Sequence, residues 1–161
     1  MPKIESFDGK KEDLGCLGCA MEKGKVDFSR GTILLTKYFR VNHDYQSPIS
    51  GFIILSTRRH IFSVADFTKE EKNEFAELLI KIRKGMKKVL KINDICIFQH
   101  EKSRHHFHVW IFPVYEWTKK FGVESEIIIP SLRYARKNMK TKANLEKVNT
   151  AVKKMRVYMK K

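Results

Sequence analysis

The chain has 161 residues, enough for one ordinary domain with a real core plus a modest extension, and no run of about 18 apolar residues marks a membrane span. Three cysteines, two of them close together, argue against a disulfide scaffold and for a reducing, cytoplasmic setting, and the N-terminal stretch lacks the apolar core of a secretion signal. Thirty-three Lys and Arg against 18 Asp and Glu leave a net charge of +15, which favours anionic partners, nucleotides and nucleic acid among them. The surplus is uneven: residues 131–161 hold eleven Lys or Arg and a single acid, Glu146, so most of it belongs to the tail.

In chain order, GTILLTKY (31–38) and FRVNHDY (39–45) read as two short strands. QSPISG turns the chain into GFIILST (51–57), an apolar and central strand. Thr68 and Glu71 then form a capping box, and Phe75, Leu78, Leu79, Ile82, Met86 and Val89 recur at helical spacing. Asn93 and Asp94 end that helix, and DICIFQ (94–99) returns as a strand. The short polar loop HEKSR leads into HHFHVWIFP (105–113), the facing strand of a hairpin. EIIIP (126–130) reads as a strand or a buried edge. Beyond it Leu145, Val148, Val152, Met155 and Met159 make an amphipathic helix with lysines on its other face. Strands, a long helix, a hairpin and a helical tail predict an α+β fold with an antiparallel sheet.

Four features carry chemistry. Four of the six histidines, His100, His105, His106 and His108, fall within nine residues. Side chains alternate on a strand, so His106, His108 and Trp110 share one face, and Phe107, Val109 and Ile111 supply an apolar face for the core. Imidazole titrates near neutrality and serves as nucleophile, proton shuttle or ligand. Cys16-Leu-Gly-Cys19 is a knuckle in which two thiolates can reach one tetrahedral zinc, with His60 and His106 as candidates to complete it; a redox pair is the other reading. Arg58 and Arg59, at the end of an apolar strand, could meet phosphate but read better as a solvated turn. Lys102 and Ser103 put an ammonium and a hydroxyl beside the histidines, a combination suited to phosphate oxygens.

Together these residues resemble the histidine-triad (HIT) superfamily of nucleotide hydrolases and transferases. Its signature of three alternating histidines is matched by His106-Phe107-His108-Val109-Trp110-Ile111-Phe112-Pro113. The opening C-x-x-C, Asp44, Gly51-Phe52, His60 and the acidic stretch ADFTKEE follow the family's order and spacing over residues 14–117. The resemblance implies a HIT-like domain over 14–118, a lead segment over 1–13 and a basic helical extension over 119–161.

It also implies roles. His108 would attack the α-phosphorus of a nucleotide and form a nucleotidyl-histidine. Asp44 would accept hydrogen bonds from ribose hydroxyls, and Ser103 would contact phosphate. Lys102 stands where the family has glutamine, and Gln99 or His100 would supply the polar contact before the loop. Cys16, Cys19, His60 and His106 would hold a closed, structural zinc. Trp110 replaces the third histidine; an indole N–H donates one hydrogen bond but cannot shuttle a proton. Phe52 replaces a histidine as well.

The implied activity is hydrolysis or nucleotidyl transfer on a nucleoside phosphoramidate or dinucleoside polyphosphate. A second reading is a zinc-stabilised nucleotide-binding protein with little turnover because of Trp110. A third is a nucleic-acid-associated protein using its basic tail, although a solvated helix packing its apolar stripe on the domain or on a second subunit is the preferred reading of that tail. The stripe is compatible with a homodimer.

Overall fold

The computed structural model describes residues 3–13, 15–101 and 106–161. Lys102, Ser103 and His105 therefore lie outside the described residues. An N-terminal ribbon pairs β1 (Lys3–Glu5) with β2 (Lys11–Asp13) and is followed by the short helix α1 (Leu17–Glu22). Five antiparallel strands then form the sheet: β3 (Thr32–Leu35), β4 (Phe39–His43), β5 (Ile53–Thr57), β6 (Ile95–Phe98) and β7 (His108–Pro113), in the order β3-β4-β5-β7-β6. The described helices after the ribbon and α1 are α2 (Lys69–Leu90), α3 (Glu116–Lys119), α4 (Ile128–Asn138) and α5 (Lys142–Met159).

Period-two alternation gives the sheet two different faces. Phe39, Val41, Ile53, Leu55, Val109 and Ile111 point to the back, where α2 and α5 cover them. Each such fully buried aliphatic or aromatic side chain contributes about 1.5–3 kcal/mol. The front face carries Arg40, Asn42, Ile54, Ser56, His108 and Trp110, aligned by the register Arg40↔Ser56↔His108 and Asn42↔Ile54↔Trp110. The predicted back-face pattern on β7 thus holds, but the strand begins at His108 and His106 lies just ahead of it.

The capping box of α2 is complete. Thr68 Oγ1 accepts the Glu71 N–H at 3.2 Å, and the Glu71 carboxylate accepts the Thr68 N–H at 2.8 Å. Leu78, Ile82 and Met86 are buried, and Phe75, Leu79 and Val89 pack against them, as the periodicity requires. The helix stops at Leu90 rather than at Asn93, because Lys91 takes a left-handed conformation (φ 60°) and caps Met86 O.

The stretch 126–130 is not a strand. It is a 3₁₀ turn (Glu124–Ile127) running into α4. Pro130 sits in the first turn, where its missing N–H has no intrahelical partner to lose. Ile128, Leu132 and Ala135 then fall on one buried helical face, so the run of isoleucines belongs to a helix with an apolar front, not to a pleat. On the sheet's front, α4 closes a cluster with Ile49, Phe52 and Phe112, against which Ile54 and Trp110 pack.

The tail helix α5 is capped by Thr141, whose hydroxyl accepts the Asn144 N–H. Its stripe is consumed within the chain: Val152, Met155 and Met159 join the back core, and Val148 joins a cluster of Phe7, Ala20, Met21, Phe28 and Tyr45. The stripe is therefore covered by the domain rather than left for a second subunit. No described helix is long and apolar enough to cross a membrane.

Candidate active site and metal centre

The Cys16-x-x-Cys19 knuckle forms the start of α1, with the Cys16 thiol as its N-cap. The fold delivers His60, from the segment after β5, and His106, from the approach to β7, to the same point. The Cys19 Sγ to His60 Nδ1 distance is 3.0 Å and Cys16 Sγ to His60 Nδ1 is 3.4 Å; both sulfurs lie 3.7 Å from His106 Nδ1. One ligand atom from each residue fits within a span of 4.8 Å, the compass of a tetrahedral zinc set of two S and two N donors.

The surroundings prepare the set. His106 Nε2 donates to the Thr57 carbonyl at 2.6 Å, which fixes the tautomer and leaves Nδ1 as the ligand. Burial holds the His106 pKa below its usual value, so the ring is kept neutral. Burial, and then the adjacent Cys16, push the Cys19 thiol up, so a cation is what would draw that sulfur into thiolate form. Gly18 is obligatory here, since a Cβ would stand 2.6 Å from His106 Nδ1.

Charge pairing locks the knuckle to the sheet. Glu22, the last residue of α1, receives Arg40 Nε and Arg58 Nε, each at 2.8 Å. Burial alone would raise the Glu22 pKa, but the two guanidinium hydrogen bonds outweigh it and hold the carboxyl below its ordinary value. Arg59 makes a two-pronged contact with Glu71 at 2.6 and 2.7 Å. Neither Arg58 nor Arg59 is simply solvated, as the sequence suggested; both are committed to structural ion pairs. Sequence inspection could not find Glu22, because its partners lie 18 and 36 residues away.

His108 has a different setting from His106. Its Nδ1 donates to the His106 carbonyl at 2.8 Å, so the lone pair resides on Nε2, and no described residue hydrogen-bonds that atom. Trp110, on the same front face, lies tilted beside His108 with ring centroids 6.0 Å apart. It meets Phe52 edge-on at 5.9 Å and Phe98 at 5.6 Å. The two departures from the histidine-triad pattern, Phe52 and Trp110, are thus one contact. Gln99 follows β6, half-buried, and the adjacent His100 is exposed.

Asp44 follows β4, and its carboxylate accepts the backbone N–H groups of Gln46 (3.2 Å) and Ser47 (2.7 Å), an Asx turn. Beneath it His43 is buried, with Nδ1 2.7 Å from Asp44 O and Nε2 2.9 Å from Ile49 O. Burial pushes its pKa down. Asn42 Oδ1 is buried on the front face with no hydrogen-bond partner among the described residues. Gly51 (φ +76°) closes the turn, and a Cβ there would lie 2.5 Å from Ile92 Cδ1. A separate cavity of about 750 Å³, bounded by Ile49, Leu90, Tyr115, Met139, Asn144 and Lys154, includes neither His108 nor Asp44.

Comparison of the sequence with models of known families and with curated proteins gives no match. Solved structures do match. A Hit-like protein involved in cell-cycle regulation from Bartonella henselae superposes with TM-score 0.60 at 15% identity, over 91% of this chain and 98% of that one. The chain has the histidine-triad fold. A Zn-bound histidine triad family protein from Mycobacterium smegmatis aligns with TM-score 0.54 at 17% identity, covering 84% of this chain and 96% of its own. A hypothetical histidine triad nucleotide-binding protein from Sulfolobus tokodaii gives 0.57 at 16% identity, over 86% and 92%. Within this HIT fold, His108 and Trp110 share the front of the sheet, Asp44 stands in the turn after β4, and the four metal donors gather beside the Thr57/His106 end.

Proposed function

We propose that this HIT-fold protein is a nucleotide hydrolase or nucleotidyl transferase that works through His108, with a zinc ion held structurally by Cys16, Cys19, His60 and His106. The observation that carries the reading is the His108 Nδ1 bond to the His106 carbonyl, which leaves the Nε2 lone pair on the front of the sheet with no hydrogen-bond partner among the described residues. That nitrogen attacks the α-phosphorus, an N–P bond forms, and the bond to the leaving group breaks with its electron pair. Water then cleaves the N–P bond and releases a nucleoside monophosphate. Asp44, held by two backbone N–H groups, keeps a carboxylate oxygen for ribose hydroxyls. His106 takes no part as acid or base on this reading, since its donor atom faces the sulfurs. Zinc ties the N-terminal knuckle to the sheet. The free cysteines suit a reducing, cytoplasmic setting.

Incubating the protein with diadenosine polyphosphates and adenosine phosphoramidates, and following nucleoside monophosphate, tests the chemistry. His108→Ala is expected to lower the rate by at least ~10³-fold. Full activity in that variant would reject the nucleophile. Nucleotide binding without any turnover would instead favour a binding protein, a reading supported by Trp110 packed among Phe52, Phe98 and His108 where a proton-carrying side chain would be useful.

A further inference from the structure

One surface of the C-terminal region takes no part in the chemistry proposed for His108. Trp117 of α3 and Phe121 just beyond it pack against Tyr134 of α4. Ring centroids lie 5.7 Å apart for Trp117 and Tyr134, 5.6 Å for Phe121 and Tyr134, and 6.4 Å for Trp117 and Phe121. Trp117 and Phe121 are half-buried and Tyr134 is 36% exposed, so the three rings make one aromatic shelf at the surface. Lys120 Nζ stands over that shelf, 4.0 Å from the Tyr134 centroid and 5.0 Å from the Phe121 centroid.

The unpaired charge beside the shelf is mostly positive. α4 contains Arg133, Arg136 and Lys137 and no acid. Its buried side is Ile128, Ser131, Leu132 and Ala135, so helical spacing turns Arg133, Tyr134 and Lys137 outward together, and all three are exposed. Among the described residues no carboxylate pairs with Lys120, Arg133 or Lys137. Arg136 differs: it is half-buried and gives its Nε–H to Ser47 Oγ at 2.9 Å, a contact within the fold. Of the acids before α4, Glu116 pairs with Lys119 at 2.6 Å and Glu126 accepts the Val123 N–H at 3.3 Å. That leaves Glu124 as the one acid of this segment without a side-chain partner among the described residues.

Flat rings with cations beside them suit an unpaired nucleotide strand. A base stacks on a ring, its phosphate meets a cation, and neither contact depends on which base it is. A duplex offers such a surface only its phosphates, because its base faces are covered by their neighbours in the stack. An acidic peptide would use the cations and leave the rings idle. A bilayer anchor needs rings projecting from an apolar face, whereas Trp117 and Phe121 are half sunk and the apolar face of α4 is turned onto Ile49, Phe52 and Phe112. We infer that Trp117, Phe121 and Tyr134, with Lys120, Arg133 and Lys137, form a binding surface for single-stranded nucleic acid that does not discriminate between bases. The surface is independent of the reaction at His108.

The test is fluorescence anisotropy of a labelled oligothymidylate of about eight nucleotides, titrated with the full-length protein over a range of salt. Tyr134→Ala is expected to weaken binding ~10-fold with the salt dependence unchanged, and Tyr134→Phe, which keeps the ring, to bind as wild type does. Replacing Arg133 and Lys137 together by Gln should reduce the slope of log K against log salt by ~1.4. Heparin and a blunt duplex bring charge without open base faces, and binding of either is expected to ignore Tyr134→Ala. So is binding to vesicles of phosphatidylserine in phosphatidylcholine. The assignment is overturned by a Tyr134→Ala variant that binds oligothymidylate like wild type, or by one that loses heparin, duplex or vesicles to the same degree. Oligothymidylate binding that disappears in His108→Ala would likewise overturn it, by placing the strand at the nucleotide site. Nucleotide turnover in Tyr134→Ala is expected at the wild-type level, so failure of the hydrolase reading and failure of this one are separate results.

Discussion

The N-terminal knuckle and the C-terminal helix pair hold the same sheet by different physics. The knuckle, six residues of helix with Ala20 and Met21 buried, brings two of four clustered metal-type donors to the sheet and is tied there by Glu22 clasped between Arg40 and Arg58. The C-terminal helices are held by burial: Ile128, Leu132 and Ala135 on the front, Val152, Met155 and Met159 on the back. A short element cannot bury enough apolar surface to pin itself, so it relies on a few directional bonds, whereas a long one spreads its attachment over many weak contacts. Directional bonds answer to metal, pH and single-atom changes; apolar packing answers to volume.

The largest expected effect is on the knuckle. Stripping zinc with a strong chelator, or making Cys19→Ser, is expected to remove one zinc per chain and cost at least about 5 kcal/mol, lowering the melting temperature by ~10 °C or more. Hydrogen exchange should accelerate in residues 15–24 and stay slow in 145–159. Simultaneous opening of both segments under native conditions would break the comparison. Next comes Met155→Ala, which hollows the back core. About 2–5 kcal/mol should be lost with zinc stoichiometry unchanged, by calorimetry and metal analysis. Loss of zinc in that variant would show the two attachments to be one.

The smallest effect concerns pH. Hydrogen bonding from Arg59 holds the Glu71 carboxyl below its ordinary value of 4.5, and Arg58 and Arg40 hold Glu22 below its own against the opposing effect of burial. A carboxyl depressed in the folded chain stabilises fully above its unfolded pKa and ceases to as pH falls through the folded value. Stability should therefore be flat from these groups near neutrality and decline below about pH 4.5. Glu71→Gln keeps an acceptor for the cap but loses the ion pair with Arg59, so it should cost about 1–2 kcal/mol at pH 7 and less at pH 3. An equal cost at both pH values would assign Glu71 to capping alone.

Much of the fold was legible because periodicity is local. The α2 stripe, the capping box and the alternation on β7 need only neighbours in sequence, and each sits where the spacing put it except that β7 begins at His108 and leaves His106 ahead of the strand. EIIIP misled because three consecutive isoleucines satisfy a strand and a helix equally, and only the burial of Leu132 and Ala135 beyond them separates the two. The metal donors were legible through their spacing and type. Glu22, Asn42 and Arg136 were not, since each acquires its meaning from residues far away in the chain. Arg136 in particular stood among eleven similar charges in residues 131–161, and nothing in the sequence separates it from a solvated neighbour such as Arg133.

By itself the sequence determined the α+β layout, the C-x-x-C knuckle and the histidine cluster, all consequences of residue type at fixed short spacing; that His106 is buried ahead of β7 while His108 sits on it was decided by the structure. The tertiary structure alone decided that the basic tail packs on the domain and is not a free appendage. Its apolar stripe is buried in the domain, α4 closes the front cluster against which Trp110 packs, and Arg136 meets Ser47, 89 residues away in sequence and 2.9 Å in space.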